Sequence, residues 1–187
     1  GFESPILVQA QAAPDPDFPT VAFPNPEEPG AINLALETAK SFDAHLVIAN
    51  DPDADRCAAA VNDPVTGWRM LRGDELGAIF AESIARKIDS GIFANSIVSS
   101  SIVKKIADHY NLEFKETLTG FKWLAKIENL TFGYEEALGY AVDAITVNDK
   151  DGISAAITLA QITTDLAADG KTLLDLLDEI WARHGFH

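Results

Sequence analysis

The stretch Leu46–Asp63, LVIANDPDADRCAAAVND, sets Asp51, Asp53 and Asp55 at alternate positions and follows them with Arg56. Three carboxylates this close repel one another, and their charged forms need a cation nearby. A hard divalent ion answers that need, because Mg²⁺ and Ca²⁺ take oxygen ligands. A guanidinium beside a metal is poorly placed to bind it. It is well placed to hold a phosphate that the metal also touches, since its fork grips oxyanions bidentately. Metal and arginine together suit phosphoryl transfer, where catalysis is mostly positioning and charge neutralisation. The bland alternative is a solvated acidic loop. Against it stands the location of the trio, directly after the apolar run AHLVIA. Ligands of open α/β sheets bind outside the carboxyl ends of strands.

Two familiar acidic loops do not fit. An EF-hand loop counted from Asp51 needs Gly at its sixth place and Glu at its twelfth, and those places hold Arg56 and Asn62. A haloacid-dehalogenase loop wants Thr or Val two residues after its second aspartate, where this chain has Asp55 or, shifted by one pair, Cys57. A phosphohydrolase with Asp51 as nucleophile stays open as a weaker reading, beside a non-catalytic acidic module with a structural Mg²⁺ or Ca²⁺ site.

The elements that must hold this loop are legible in outline. PILVQA reads as a strand, and the proline-dense stretch after it as an extended loop, because proline lacks the N–H that helices and central strands need. GAINLALETAKSF reads as a helix. AHLVIA is a short continuous apolar run, the mark of a buried, parallel strand. CAAAVN reads as a strand and DPVTG as a turn. From Trp68 the pattern restarts with WRMLRG as a strand. DELGAIFAESIARKI follows as a helix with Leu76, Ile79, Phe80, Ile84 and Ile88 on one face. NSIVSS, NLEFKET and LTFGYE then read as strands alternating with the helices SIVKKIADHY and GFKWLAKIEN. Two helices close the chain, DGISAAITLAQITTDLAA and TLLDLLDEIWARHG, the last opened by Thr172 and Asp175 in a capping-box pattern. The alternation predicts an α/β fold with mixed or mostly parallel sheets flanked by helices. The best boundary is the turn Asn62–Gly67, which leaves a first part (1–62) too short for a whole domain and a fuller second part (63–187).

Composition narrows the partners. The formal net charge of −15 disfavours nucleic acid, whose phosphates need clustered Lys and Arg, and disfavours an anionic membrane surface. No apolar run approaches the roughly 20 residues of a bilayer span. The start has neither the basic nor the long apolar region of a signal peptide and lacks Met, which predicts a piece of a longer chain. The single cysteine, Cys57, excludes an internal disulfide framework and fits a reducing, cytoplasmic setting.

The motifs, taken together, resemble one family over essentially the whole chain. NDPDADR resembles the metal-binding loop of the α-D-phosphohexomutases, the phosphoglucomutases and phosphomannomutases. FPTVAFPNPEEPGA resembles the segment before that loop, LRGDELGAIFAE the opening of the third domain, and TLTGFKW a loop at Thr119–Trp123. FGYEEALGY resembles the sugar-recognition loop and NDKDGISAA the start of the following helix. The YEEALGY form is most similar to the bacterial branch related to phosphopentomutases. The resemblance implies residues 1–62 as the end of a second domain and 63–187 as a third domain, within a four-domain enzyme that interconverts hexose 1- and 6-phosphates. It further implies Mg²⁺ on Asp51, Asp53 and Asp55, with Arg56 at the phosphate of a phosphoserine. Thr119, Gly120 and Lys122 would border the substrate, Glu135 would accept hydroxyl hydrogen bonds from the sugar, and Lys150 would lie near the transferring phosphate. Neither the phosphoserine loop nor the substrate-phosphate domain is found in this sequence, so the chain alone is expected to be inactive. Many members carry serine where this chain has Ala137, which opens the choice between glucose, mannose and pentose phosphates.

The same residues have plainer readings. Lys150 and Asp151 could decorate a helix N-terminus, and Gly120 and Lys122 could mark an ordinary turn or an anion cradle. Glu135 and Glu136 alone would be a solvated loop. Gly73 and Asp74 read as a helix cap, Ser99–Ser101 as a strand end and cap, and Cys57 as a small buried residue. His45, His109, His184 and His187 lack metal-ligand spacing, and Trp68, Trp123 and Trp181 read as packing residues.

Overall fold

The computed structural model describes residues 4–187. The segment PILVQA forms no strand; it leads into a 3-10 turn at Gln9–Gln11, with Ile6 and Leu7 exposed. A strand needs a neighbour's backbone groups to pair with, and none lies beside it among the described residues. The proline-dense loop then runs to helix α1 (Asn33–Ser41), which buries Ala35 and Ala39 against Val47 and Ala60.

Three strands follow: β1 (Leu46–Ala49), β2 (Ala58–Asp63) and β3 (Gly67–Met70), an antiparallel sheet in the order β1-β2-β3. The apolar run expected to be a buried parallel strand is therefore an antiparallel edge strand, with only Val47 buried. The strand covered on both faces is β2, where Ala60 faces α1 while Ala59 and Val61 join the main core. A continuous apolar run reports two-sided burial, which a central antiparallel strand can also supply. The turn Asn62–Gly67 lies within the β2–β3 hairpin.

The second half is built on helix α2 (Gly73–Ala85), most of whose residues are buried. Arg69 of β3 donates to both oxygens of Glu75, at 2.9 and 3.2 Å, and so ties the first sheet to α2. Strand β4 (Ile92–Ser96), helix α3 (Ile102–His109), strand β5 (Glu113–Thr117), helix α4 (Phe121–Leu124) and strands β6 (Leu130–Glu135) and β7 (Gly139–Ala141) come next. Their sheet has the order β5-β4-β6-β7, with β4 parallel to both neighbours and β7 antiparallel to β6. Helices α5 (Gly152–Ala168) and α6 (Leu173–His184) close the fold, and the Thr172–Asp175 capping box is present in both directions. Strand β4 sits a few residues earlier than NSIVSS suggests, because Ile97 and Val98 belong to an exposed turn. GFKWLAKIEN gives a single α-helical turn, continued only by turn bonds. The three-residue β7 is too short to announce itself.

The main core joins both halves: Cys57, Ala59 and Val61 pack with Leu76, Ile79 and Phe80 of α2 and with Phe93, Phe132, Tyr134 and Tyr140. Each of these large side chains contributes about 1.5–3 kcal/mol by leaving water. Among the described residues no helix is long and apolar enough to cross a membrane.

Glu82 is fully buried where α2, α3 and α6 meet. It accepts from Arg86 Nε and Tyr110 Oη, each at 2.9 Å, and from Arg183, while His184 Nε2 lies 3.6 Å away. Burial alone would push its carboxyl up, but the bonds from Tyr110 and Arg86 and the two guanidinium charges hold it below its ordinary 4.5. Burial, His109 and Arg183 push the His184 imidazole below its ordinary 6.5, against the pull of Glu82. Both groups bind protons more readily in the unfolded chain, so both support the fold above those ordinary values and lose that support as pH falls. Thermal unfolding of the chain is expected to show a midpoint that declines as pH drops below about 6.5, with a steeper decline below 4.5. The first part of the decline should vanish in His184→Gln; a flat midpoint down to pH 5 in the unsubstituted protein would contradict this account.

Candidate functional site

The three aspartates leave β1 on a loop whose backbone is pinned on every side. Ala54 sits in the left-handed region (φ 56°), and its N–H bonds to the Asp51 carbonyl at 3.0 Å. Such a conformation costs a non-glycine residue about 1–2 kcal/mol, so its surroundings must enforce it. They do: Asp51 Oδ1 accepts from the Arg56 N–H at 3.1 Å, Asn50 Nδ2 donates to the Arg56 carbonyl at 2.7 Å, and the Gly152 N–H donates to the Ala54 carbonyl at 3.0 Å. Only glycine fits at 152. A Cβ there would stand 2.2 Å from the Arg56 carbonyl oxygen, 2.6 Å from Asn50 Nδ2 and 2.7 Å from the Ala54 carbonyl oxygen.

Held this way, Asp51, Asp53 and Asp55 each present an oxygen within 4.8 Å of the other two. Burial pushes the Asp51 carboxyl up, the Arg56 N–H bond pulls it down, and the charges of Asp55 and Asp53 push it up again. Charge crowding of this kind is relieved by a cation. Arg56 Nε stands 3.7 Å from Asp51 and 3.9 Å from Asp55, and Lys150 Nζ is 2.7 Å from Asp55 Oδ2. Asp53 is exposed and makes no ion pair among the described residues. An all-oxygen set of three carboxylates fits a hard divalent ion such as Mg²⁺ or Ca²⁺.

Lys150 comes from the N-terminal end of α5, where Asp151 caps the helix by accepting from the N–H groups of Ile153 and Ser154. Asp151 thus has the plain role. Lys150 does not, for its ammonium turns to Asp55 and lies 5.5 Å from the Phe121 ring centroid. Burial pulls its pKa down, but the hydrogen bond to Asp55 and the charges of Asp149 and Asp55 outweigh that and raise it, so it stays a cation at neutral pH.

The loop between β6 and β7 docks on the same spot. Gly139 forms a bridge with Arg56, and the Cys57 N–H donates to the Leu138 carbonyl at 3.1 Å. Glu135 and Glu136 point apart. Glu135 Oε1 accepts from the Gly120 N–H at 2.6 Å, at the start of α4. The possible anion cradle at Gly120 is thereby already occupied by a carboxylate of the chain. Ala137 is half-buried in the hairpin, whereas Thr119 and Lys122 are exposed beside Gly120. The structure therefore gathers Asp51, Asp53, Asp55, Arg56 and Lys150 into one cluster, with Glu135 on the hairpin joined to it and Gly120, at the start of α4, bonded to Glu135.

Several residues here carried no signal of their own. Asn50 and Gly152 lie inside the quoted motifs, yet only the fold shows that they fix the acidic loop. Asp74 is no simple cap: it accepts from the Ser100 N–H and Tyr134 Oη, both at 2.8 Å. Arg72 stands at the N-cap of α2, where its N–H donates to Glu75 Oε2 at 2.8 Å. Ser99 bonds to Glu136. Cys57 is the buried small residue expected, its thiol pushed up to about 12 by burial, which keeps it from acting as a thiolate.

Models of the phosphoglucomutase/phosphomannomutase α/β/α domains II and III match residues 1–67 and 72–184. The chain belongs to the phosphoglucomutase/phosphomannomutase family. A protein named probable phosphomannomutase from Haemophilus influenzae is 47 % identical over 187 residues, 99 % of this chain and 39 % of the relative. A phosphoribomutase from Saccharomyces cerevisiae is 43 % identical over 175 residues, 83 % of this chain and 28 % of that protein. The crystal structure of a phosphoglucomutase/phosphomannomutase family protein from Burkholderia thailandensis shares the fold, with a TM-score of 0.71 at 18 % identity, over 84 % of this chain and 33 % of the other. The chain thus spans well under half the length of these relatives. As a phosphoglucomutase/phosphomannomutase chain, it has the acidic loop in its domain II part and the β6–β7 hairpin in its domain III part.

Proposed function

We propose that the full-length protein is a phosphohexomutase. It would move a phosphoryl group between the 1- and 6-positions of glucose or mannose phosphate, by way of a serine outside these 187 residues. The observation that carries this reading is the convergence of Arg56, Lys150 and three carboxylates beside a hairpin that presents Glu135. Asp51, Asp53 and Asp55 would hold Mg²⁺, which supplies charge neutralisation at a phosphoryl oxygen when bound. Arg56 offers a guanidinium on the rim of that cluster for a phosphate. Lys150, protonated at neutral pH, offers a second fixed cation near Asp55. Glu135 would accept hydroxyl hydrogen bonds from one sugar face, with Thr119, Gly120 and Lys122 bordering it. The kinship with a phosphoribomutase, together with Ala137 at the sugar loop, keeps pentose phosphate as the second reading.

Steady-state turnover of the full-length protein on glucose 1-phosphate, mannose 1-phosphate and ribose 1-phosphate, with Mg²⁺, tests both readings. Preference for ribose 1-phosphate would replace the hexose reading, and no turnover on any of them would overturn the mutase reading. The 187-residue chain in the same assay is expected to give none, because the phosphoryl group must pass through a covalent enzyme intermediate. Glu135→Gln in the full-length protein should lower kcat/KM by at least ~10-fold, equivalent to ~1.4 kcal/mol. A smaller loss for Glu135→Gln than for Glu136→Gln would place the sugar acceptor at the wrong glutamate.

A further inference from the structure

Among the described residues Glu136 makes no hydrogen bond or ion pair to the acidic loop, yet it is the more tightly held of the two glutamates. Its carboxylate accepts from Ser99 Oγ at 2.7 Å and from Ser96 Oγ at 3.2 Å, and its own N–H donates to Ser99 Oγ at 3.2 Å. Ser96 and Ser99 are themselves 2.8 Å apart, and Ser96 is fully buried at the end of β4. An ionised carboxylate can only accept, so it fixes the Ser99 hydroxyl as a donor. That leaves the Ser99 oxygen free to accept the Glu136 N–H, and the ring of bonds closes. On the other side, the Glu136 carbonyl lies flat on the first turn of α2: a Cβ on Gly73 would stand 1.7 Å from its oxygen. The peptide of residue 136 is thus gripped through its side chain, its N–H and its carbonyl. Glu135 ends β6 and Glu136 opens the turn that follows, so the two share one peptide link whose far side is held. Fixing Glu136 toward β4 therefore directs Glu135 toward Gly120, where it is found.

We propose that Glu136 is a positioning residue that acts through Glu135, with Ser99 and Ser96 as its clamp; this rests on the mutase reading above. A turn could be closed by a neutral side chain. A half-buried carboxylate bonded to two hydroxyls, with no cation paired to it among the described residues, makes stronger, charge-assisted bonds and allows the hairpin one arrangement only. Binding groups need that restraint, since a small misplacement of a substrate-holding group costs much of its contribution.

The test is a set of kinetic cycles on the full-length enzyme. Glu136→Ala is expected to lower kcat/KM about 10-fold, mainly through KM, and Glu136→Gln, which keeps one acceptor oxygen, to stay within about 3-fold. Ser99→Ala should shift KM in the same direction. The Mg²⁺ concentration for half-maximal rate should not move in any of them, because the clamp does not touch Asp51, Asp53 or Asp55. In a Glu135→Gln background, neither Glu136→Ala nor Ser99→Ala should cost anything further. Additive losses, a parallel loss of Mg²⁺ response, or an unchanged KM in Glu136→Ala would overturn the positioning role. Should Glu136→Ala fail to fold, the Ser99→Ala cycle decides between the same outcomes. An unsubstituted enzyme without sugar-phosphate turnover would instead overturn the mutase reading itself, a result distinct from additive losses in an active one.

Discussion

Asp53→Asn in the full-length protein is expected to cut turnover by a factor on the order of 100 at limiting Mg²⁺, while the fold stays intact. Asp53 is the member of the trio without an ion pair among the described residues, and it is exposed. Its carboxylate therefore contributes little to stability, and a surface substitution of this kind shifts folding by about 0.5 kcal/mol or less. What it removes is one anionic oxygen of an oxygen-only set. Asp55→Asn would be a poorer probe, because it also strips Lys150 of its 2.7 Å partner. The check is turnover against Mg²⁺ concentration. Part of the loss should return at high Mg²⁺; unchanged turnover at limiting Mg²⁺ and saturating substrate would refute the metal assignment.

Gly152→Ala should damage both folding and activity without altering any charge. The added methyl group would collide with the carbonyl oxygens of Arg56 and Ala54 and with the Asn50 amide. Backbone carbonyls cannot yield as the end of a flexible side chain does, so the start of α5 or the acidic loop must move. Forced overpacking of this kind costs about 1–3 kcal/mol. The hydrogen bond from Gly152 to Ala54, 3.0 Å long, would go with it, and with that bond the support for the left-handed Ala54. The expected result is a lowered thermal midpoint and a weakened response to Mg²⁺. A variant with normal stability and normal Mg²⁺ response would show that the acidic loop does not depend on α5.

The sequence disclosed most of what local pattern can encode. The faces of α2 and α6, the capping box at Thr172, and the positions of β2, β5 and β6 follow from apolar period and cap chemistry, which act over a few residues. The pairing of strands does not. AHLVIA has the composition of a buried strand, but its direction and its edge position depend on which strand the chain brings beside it. PILVQA has strand-like residues and nothing to pair with. Ile97 and Val98 extend an apolar pattern past the point where Ser96 and Ser99 turn the chain. At the site, the aspartate trio and Arg56 announced themselves by charge crowded into a few residues. Lys150, far along the chain, could be joined to Asp55 only through a family likeness. Asn50, Ser99 and Gly152 act through hydrogen bonds and close approach in three dimensions, which no spacing displays.

The bridge between Arg56 and Gly139, with the Cys57–Leu138 bond beside it, bears on how this protein could be recombined with its relatives. The tempting splice point is the short stretch between the two family domains, near residues 68–71. A crossover there would bring an acidic loop from one parent against a hairpin and an α5 start from the other. Their fit relies on backbone contacts with no room to spare, at Gly152 above all. Workable hybrids would have to inherit residues 50–57, 138–139 and 150–152 from a single parent. Selection would then keep these three separated segments together as one unit, whatever happens to the chain between them.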